Sequence, residues 1–495
     1  MKKFLVFVLI IAAALSMTAC SGDAPENAGE KPVLNVLMPH TSEDVNNTAV
    51  ARYLEETTGY KVNYETLPQD KPYDKLNLIM SGGEPYDVVI MPNQRNVYAN
   101  YAANGALVDL APLIEKYAPN VDSKVSKTGM DILKINDTQY GIPNTSAAGV
   151  GSSIIIRKDW LDKLGLAMPE TIDDFVEILS AFKEKNPSGN EGGTVPFVLA
   201  AGHVATPNLQ GAFGLANECA DVDGELVMNV MRPEFKAYIR FMQNLYNKGL
   251  IDQEFATLKA ANAKERFNSG KAGAMVLNYY DIDTIQKTLS KIDPDAVVEY
   301  IPLLKNAAGE SQVAYNANTI DKIVFIPKSA KHPEDAMKWI NAKLDDEIFK
   351  NLSIGEEGVH YEMKDGVYYP ILPIFYEERN ASSIYLTGVD ENVYPLYWQA
   401  RVRKDDSIFK AWDYINNSES YNANKVSSPL EKAPYIKAYD NNIQALNTSL
   451  YDFMAKTISS STDIDSAVDK FIEKWNAEGG KELADAINEW YRSTK

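Results

Sequence analysis

VLNVLMPHTSEDVNNTAVARYLEETTGYKVNYETLPQDKPYDKLNLIMSGGEPYDVVIMP, residues 33–92, decides the fold class. Three short apolar runs, VLNVLM (33–38), YKVNYETL (60–67) and DVVIM (87–91), are separated by helix-length amphipathic segments near 44–58 and 73–81. Strands that alternate with helices predict a mostly parallel sheet covered by helices. A second set follows: SIIIR (153–157), a helix from Thr171 to about Lys185, TVPFVLA (194–200), a helix near 233–248, and GAMVL (273–277). Thr171 is placed to cap its helix, with Asp174 standing in for the capping-box Glu, and Asn186-Pro187 stops it. DKIVFIP (321–327) reads as a further strand, followed by the helix of PEDAMKWINAKL. The last 35 residues read as one or two helices ending near Trp490. Two α/β units in one chain predict two lobes.

Before the first strand, Met1-Lys2-Lys3 leads into FLVFVLIIAAAL (4–15), which ends in the small residues Thr18 and Ala19 just before Cys20. This is the order of an export signal, and the run is too short for the ~20 residues of a membrane-spanning helix. Cys20 is one of two cysteines, and a bridge from a cleaved or floppy terminus to the other, Cys219, would staple nothing. Met17-Thr18-Ala19-Cys20 resembles a bacterial lipobox, which implies lipidation of Cys20 with acyl chains such as palmitate. Residues 1–19 are then a lipoprotein signal peptide, and the polar, Gly/Pro-punctuated 20–32 a flexible tether at the extracytoplasmic face of the cell membrane.

The 495 residues are 45% hydrophobic, enough for a sizeable core, and carry a formal charge of −19. An acidic chain with no basic stripe excludes nucleic acid as a partner. The four histidines, at 40, 203, 332 and 360, are scattered. No H-E-x-x-H, C-x-x-C, G-x-S-x-G or G-x-x-x-x-G-K-[ST] occurs, so there is no catalytic signature and neither a metal site nor a cofactor is expected. Cys219 reads as an inert small hydrophobe.

YGIP (140–143), IIIRKDWLDKLGLAMPETIDDF (154–175), FNSGKAGAMVLN (267–278), GEEGVHYEM (355–363) and DIDSAVDKFIEKWNAEGG (463–480) resemble the extracellular solute-binding proteins, family 1, of ABC importers, closest to the lipoproteins of carbohydrate uptake. The resemblance implies a two-lobed, periplasmic-binding-protein-like α/β fold with a hinge, residues 33–143 and 322–385 forming the N-terminal lobe and 144–321 and 386–495 the C-terminal lobe. It implies a monomer that is no enzyme, captures an oligosaccharide and hands it to permease subunits. The alternative from another class is a secreted lipoprotein glycoside hydrolase or polysaccharide lyase, which needs two carboxylates across a scissile bond.

Sugars offer apolar ring faces and a rim of hydroxyls, so their sites combine flat aromatics with Asn, Asp, His or Arg. Asn278-Tyr279-Tyr280-Asp281 follows the strand GAMVL, where the resemblance implies a stacking aromatic; the same tyrosines could seal a core. His40 follows VLNVLM, Asn93 and Arg95 follow DVVIM, and His203 and Asn208 follow FVLA. Each histidine has a structural alternative. Arg95 is a candidate for an acidic sugar, because a guanidinium pairs a carboxylate bidentately. His360 lies in one of the resembling motifs, which could equally mark a turn. Trp398 is a candidate cleft aromatic, whereas Trp160, Trp339, Trp412, Trp475 and Trp490 sit in helical patterns and read as packing.

KNPSGNEGGTVPF (185–197) stands where some relatives carry a calcium loop. Asn186, Ser188 and Asn190 are neutral, Glu191 takes the turn position of Gly, and Phe197 stands where a carboxylate would close the site. Calcium is therefore not expected here.

Overall fold

The computed structural model describes residues 31–147, 149–315 and 319–495. The signal peptide, Cys20 and the tether up to residue 30 lie outside the described residues. The tether was expected to run to Pro32, but Lys31 is already docked. Its Nζ donates to the Thr58 carbonyl at 2.6 Å and lies 4.3 Å from the centre of the Tyr60 ring.

Nine strands build two sheets: β1 (Leu34–Met38), β2 (Val62–Thr66), β3 (Val88–Pro92), β4 (Gly141–Thr145), β5 (Ser152–Arg157), β6 (Val195–Val198), β7 (Ala272–Asn278), β8 (Val298–Tyr300) and β9 (Ile320–Phe325). The first sheet has the order β2-β1-β3-β9-β4 and the second β8-β5-β7-β6. In the first, β1 is parallel to β2 (Leu34 opposite Val62) and to β3 (Val36 opposite Val88), while β9 runs antiparallel to β3 and β4. In the second, only β6 and β7 are parallel; β5 runs against both β7 and β8. The expected mostly parallel sheet thus holds for the first three strands and gives way to a mixed sheet in the second lobe. Strands β5 and β9 cause this, because they enter straight from the other lobe rather than through a helical crossover.

Both sheets are covered on both faces, which is why Val88–Met91 and Ile154–Ile156 are apolar without alternation. Period-2 geometry still divides them. Val36, Val88, Ile90 and Val324 pack toward Trp339 and Tyr385, whereas Leu37, Val89, Met91 and Phe325 pack toward Leu76 and Tyr98. In the second sheet Ile154, Ile156 and Phe197 meet Trp160, Phe175 and Phe182, and Ile155, Val198 and Met275 meet Phe267, Ile285 and Trp412. Thr171 and Asp174 form the reciprocal capping box of the helix Ile172–Lys185, and Asn186 ends it in a left-handed conformation. The C-terminal helices Lys437–Ile458, Ile464–Trp475 and Lys481–Ser493 close the second core, Phe453 stacking on Phe471 at 4.1 Å. Cys219 is buried, and burial pushes its thiol up to about 12, which makes it a poor nucleophile.

The chain passes between the lobes three times. Two passages lie side by side: Ser146, just after β4, donates its N–H to the Thr319 carbonyl, just before β9, at 2.8 Å. The third lies between the helices Tyr394–Val402 and Asp406–Asn417. Leu386, Val389, Tyr394, Tyr397 and Ala400 belong to the first lobe's core and Val402, Ile408 and Trp412 to the second's, with Trp398 packed against both. The expected boundary at 385/386 is therefore too early. The aromatic residues of YPLYW extend the first core by a helix before the chain leaves.

Candidate functional site

Ligands of open α/β sheets lie beyond the C-terminal ends of the parallel strands. Here those ends adjoin the passages between the lobes. Asn93, after β3, donates its N–H to the Asp321 carbonyl at 2.9 Å, and its Nδ2 donates to the Ile320 carbonyl at 3.0 Å. Tyr279, after β7, donates its N–H to the Gly151 carbonyl at 3.2 Å.

Two features flank this junction. The first is an aromatic shelf. Asn278 Oδ1 accepts from the Tyr280 N–H at 3.0 Å and caps the turn Tyr279–Asp281, which stacks the two tyrosines with ring centres 4.2 Å apart. Tyr279 is fully buried while Tyr280 is 39% exposed. Trp398 meets Tyr280 edge-on at 6.1 Å and leans on Tyr394 at 6.0 Å. The Tyr279 hydroxyl and the Trp398 indole N–H are buried facing each other, and the Tyr279 hydroxyl also faces that of Tyr280, without a well-aligned hydrogen bond. Burial pushes the Tyr279 hydroxyl up to about 12, and Tyr280 goes higher still through burial and its neighbour Tyr279, against the opposing charge of Arg401. Arg401 is sealed beneath the shelf, and its donors are spent on the carbonyls of Ser353 (2.9 Å), Arg379 (3.0 Å) and Asn380 (2.5 Å) and on Ser382 Oγ (3.0 Å). Asp281 is paired with Lys264 at 2.8 Å.

The second feature is a cavity of about 270 Å³ between the lobes, to which the first contributes Asn93 and Arg95, the second Glu218, Glu431 and Tyr439, and the passage Thr319. Arg95 Nη2 donates to the Ala433 carbonyl at 3.2 Å, and its Nε lies 3.4 Å from Asp440 Oδ1. The other Asp440 oxygen accepts from the Ile436 N–H at 2.8 Å, and Gln444 donates to Gln94 across the same junction at 3.1 Å. Tyr439 donates to Glu218 Oε1 at 2.5 Å. Burial pushes the Glu218 carboxyl up, with the Tyr439 hydrogen bond opposing and Asp440 reinforcing. Burial likewise pushes Asp440 up, against the pull of Arg95.

The structure therefore brings Asn93 and Arg95 together in one place and Asn278, Tyr279, Tyr280, Asp281 and Trp398 in another. Arg95 is not the free guanidinium expected for an acidic sugar, because Asp440 holds it. His40 is exposed just past β1, and His203 is half-buried in the turn Ala201–His203, where burial lowers its basicity. Two expectations are corrected. Asn208 is buried inside the second lobe, its Nδ2 donating to the Tyr421 hydroxyl at 3.1 Å. His360 is buried inside the first, where Nδ1 accepts from the Glu356 N–H at 3.0 Å and Nε2 lies 3.2 Å from Glu378. Both fill polar positions of a core, which a lone Asn or His after a strand or turn does not disclose. Glu218, Tyr439 and Asp440 were missed, since nothing in their local pattern marks a cleft.

The loop Asn186–Thr194 is tied by its own side chains. Ser188 Oγ and Thr194 Oγ1 each stand 2.9 Å from Asn186 Oδ1 and 2.8 Å from each other, and Asn186 Nδ2 donates to the Asn190 carbonyl at 2.9 Å. Among the described residues no group of three or more His, Cys, Asp or Glu is placed to hold a metal.

The sequence profile of the family described as bacterial extracellular solute-binding protein matches residues 43–347. Lipoprotein LipO of Bacillus subtilis is 27% identical over 100% of this chain and 99% of its own length. The polygalacturonan/rhamnogalacturonan-binding protein YtcQ of the same organism is 23% identical over 100% of this chain and 99% of its own. The substrate-binding protein FusA of S. pneumoniae, solved in complex with kestose, superposes with a TM-score of 0.72 at 20% identity, covering 94% of this chain and 99% of that one, and so shares the fold. With two sheets joined by three passages and a cleft at their strand ends, the chain belongs to the bacterial extracellular solute-binding protein family.

Proposed function

We propose that the protein captures an oligosaccharide between its lobes and delivers it to the permease of an ABC importer. The observation that carries this is the shelf: an exposed Tyr280 face for stacking, flanked by the buried Tyr279 hydroxyl and the buried Trp398 N–H. A sugar ring supplies both an apolar face and hydroxyls to satisfy such groups. The cavity of Asn93, Arg95 and Glu218 extends the site beside it. His40 and His203 are further candidates at the strand ends. The relatives support a carbohydrate: polygalacturonan and rhamnogalacturonan for YtcQ, and kestose in the FusA complex.

Among the described residues no helix is long and apolar enough to cross a membrane. The proposed membrane attachment is lipidation of Cys20, in line with the lipoprotein LipO, with the protein acting as a monomer on the extracytoplasmic face as the family resemblance implies. The lobes divide at the three passages, with residues up to about 400 of the third segment in the first lobe.

The test incubates the protein with a panel of oligosaccharides and follows heat of binding and glycan integrity together. Binding with the glycan recovered unchanged is expected. Cleavage products would establish the hydrolase or lyase instead. Cys20→Ala should move the protein from the detergent-extracted membrane fraction to the soluble one or leave the signal uncut; unaltered membrane retention refutes the tether.

A further inference from the structure

We infer that the cleft selects oligosaccharides that carry no carboxylate, because the one cation among the described residues lining the inter-lobe cavity, Arg95, is already paired with Asp440 across the lobes while Glu218 lines the same wall. The inference rests on the carbohydrate reading above and narrows its substrate class.

A uronate needs a free, well-placed guanidinium or ammonium. Four cations near the site are already paired or hydrogen-bonded. Arg95 is shared between the Ala433 carbonyl and Asp440, whose side chain is 6% exposed. Taking Arg95 for a ligand would leave Asp440 as a buried, uncompensated anion, which is the costly half of breaking a buried pair. Arg401, beneath Tyr280, has its donors turned to the carbonyls of Ser353, Arg379 and Asn380. Lys264 is paired with Asp281, and Lys322 with Asp321 at 2.5 Å.

The resident carboxyls also report how this space treats negative charge. Both Glu218 and Asp440 are pushed above the usual carboxylate range, by burial first. An incoming carboxylate meets the same desolvation and has to compete with Asp440 for Arg95. A neutral sugar meets none of this. Its hydroxyls donate to the Glu218 carboxyl, and its ring stacks on Tyr280.

The full mature chain is titrated with matched sets: fructo-, xylo-, manno- and galacto-oligosaccharides as neutral probes, and oligogalacturonides and oligoalginates as uronates. Every tight binder is expected to be uncharged, and the best neutral glycan to bind at least about 100-fold more tightly than any uronate. A uronate that binds as well as the best neutral glycan overturns the inference. Binding of nothing in either set overturns the carbohydrate reading itself. Asp440→Asn, with folding checked by its melting curve, frees Arg95 and should narrow the ratio at least about tenfold. An unchanged ratio in that variant overturns the role given to the Arg95–Asp440 pair.

Discussion

Replacing Tyr280 with Ala separates a binding surface from a core seal, the two readings its position allows. Tyr280 is 39% exposed and stacks on Tyr279 at 4.2 Å, whereas Tyr279 is fully buried. A well-packed aromatic contact is worth about 0.5–1.5 kcal/mol beyond area burial, so loss of the stacking face should weaken ligand binding about two- to thirteenfold. Tyr279→Ala is the wrong comparison, because emptying a buried aromatic site costs about 3–5 kcal/mol of stability and would blur any effect on affinity. Tyr279→Phe is the useful partner. Its hydroxyl faces Tyr280 and Trp398 but forms no well-aligned hydrogen bond in the free protein, so removing it should leave Tm within about 2 °C of wild type. If a ligand hydroxyl satisfies that group, the same change should cost about 0.5–1.5 kcal/mol of binding. Calorimetric titration with a glycan that binds wild type, together with melting curves, reads both quantities. Unchanged affinity in Tyr280→Ala and Tyr279→Phe would refute the shelf as the ligand surface.

Chelation of divalent ions should leave Tm unchanged, because Asn186, Ser188 and Thr194 already satisfy one another; a drop of several degrees reversed by calcium would show a working metal site. Lys343 is fully buried, with Nζ donating to the Tyr385 carbonyl at 2.7 Å, and burial pushes it well below the ordinary lysine range. Between that lowered value and its ordinary 10.5, the unfolded chain holds a proton that the folded chain lacks, so wild-type stability should rise with pH through this window. The Tm difference between wild type and Lys343→Met should therefore shift in favour of wild type as pH is raised from about 7 to about 10; a difference independent of pH would mean the ammonium stays charged in the fold. Asp440→Asn should also increase the radius of gyration of the ligand-free protein in solution scattering, since the pair joins the two lobes; superimposable curves would show that it does not hold them.

The elements that carry short-range signals were legible. Apolar runs of strand length gave β1–β3, β5–β7 and β9 to within a few residues, and Thr171 with Asp174 gave a helix start. Strand direction was not, because whether β5 enters through a helix or straight from the neighbouring lobe depends on contacts far apart in sequence. The site was half legible for the same reason. Asn278–Asp281 follow a readable strand, so their place in the fold follows from local pattern. Asp440 sits early in the helix Lys437–Ile458 and meets Arg95 from 345 positions away, and no local period encodes that meeting. His360 and Asn208 were misjudged because a buried polar side chain with an internal partner has the same one-letter code as one awaiting a ligand.

The third passage between the lobes sets an order of events for capture. Two strands lying side by side would let the lobes both bend and twist; a third attachment, through Trp398 and the helix break that follows it, would remove the twist and leave a single axis of rotation. Motion is smallest near that axis. Trp398 packs against both cores, so its edge contact with Tyr280 changes little as the lobes swing. The Arg95–Asp440 contact spans two elements that no passage directly joins, so a swing of the lobes would separate it. On the proposed carbohydrate reading, the aromatic shelf would be assembled before a ligand arrives and the polar cavity completed by rotation, so that a ring face would dock before hydroxyls meet the cavity.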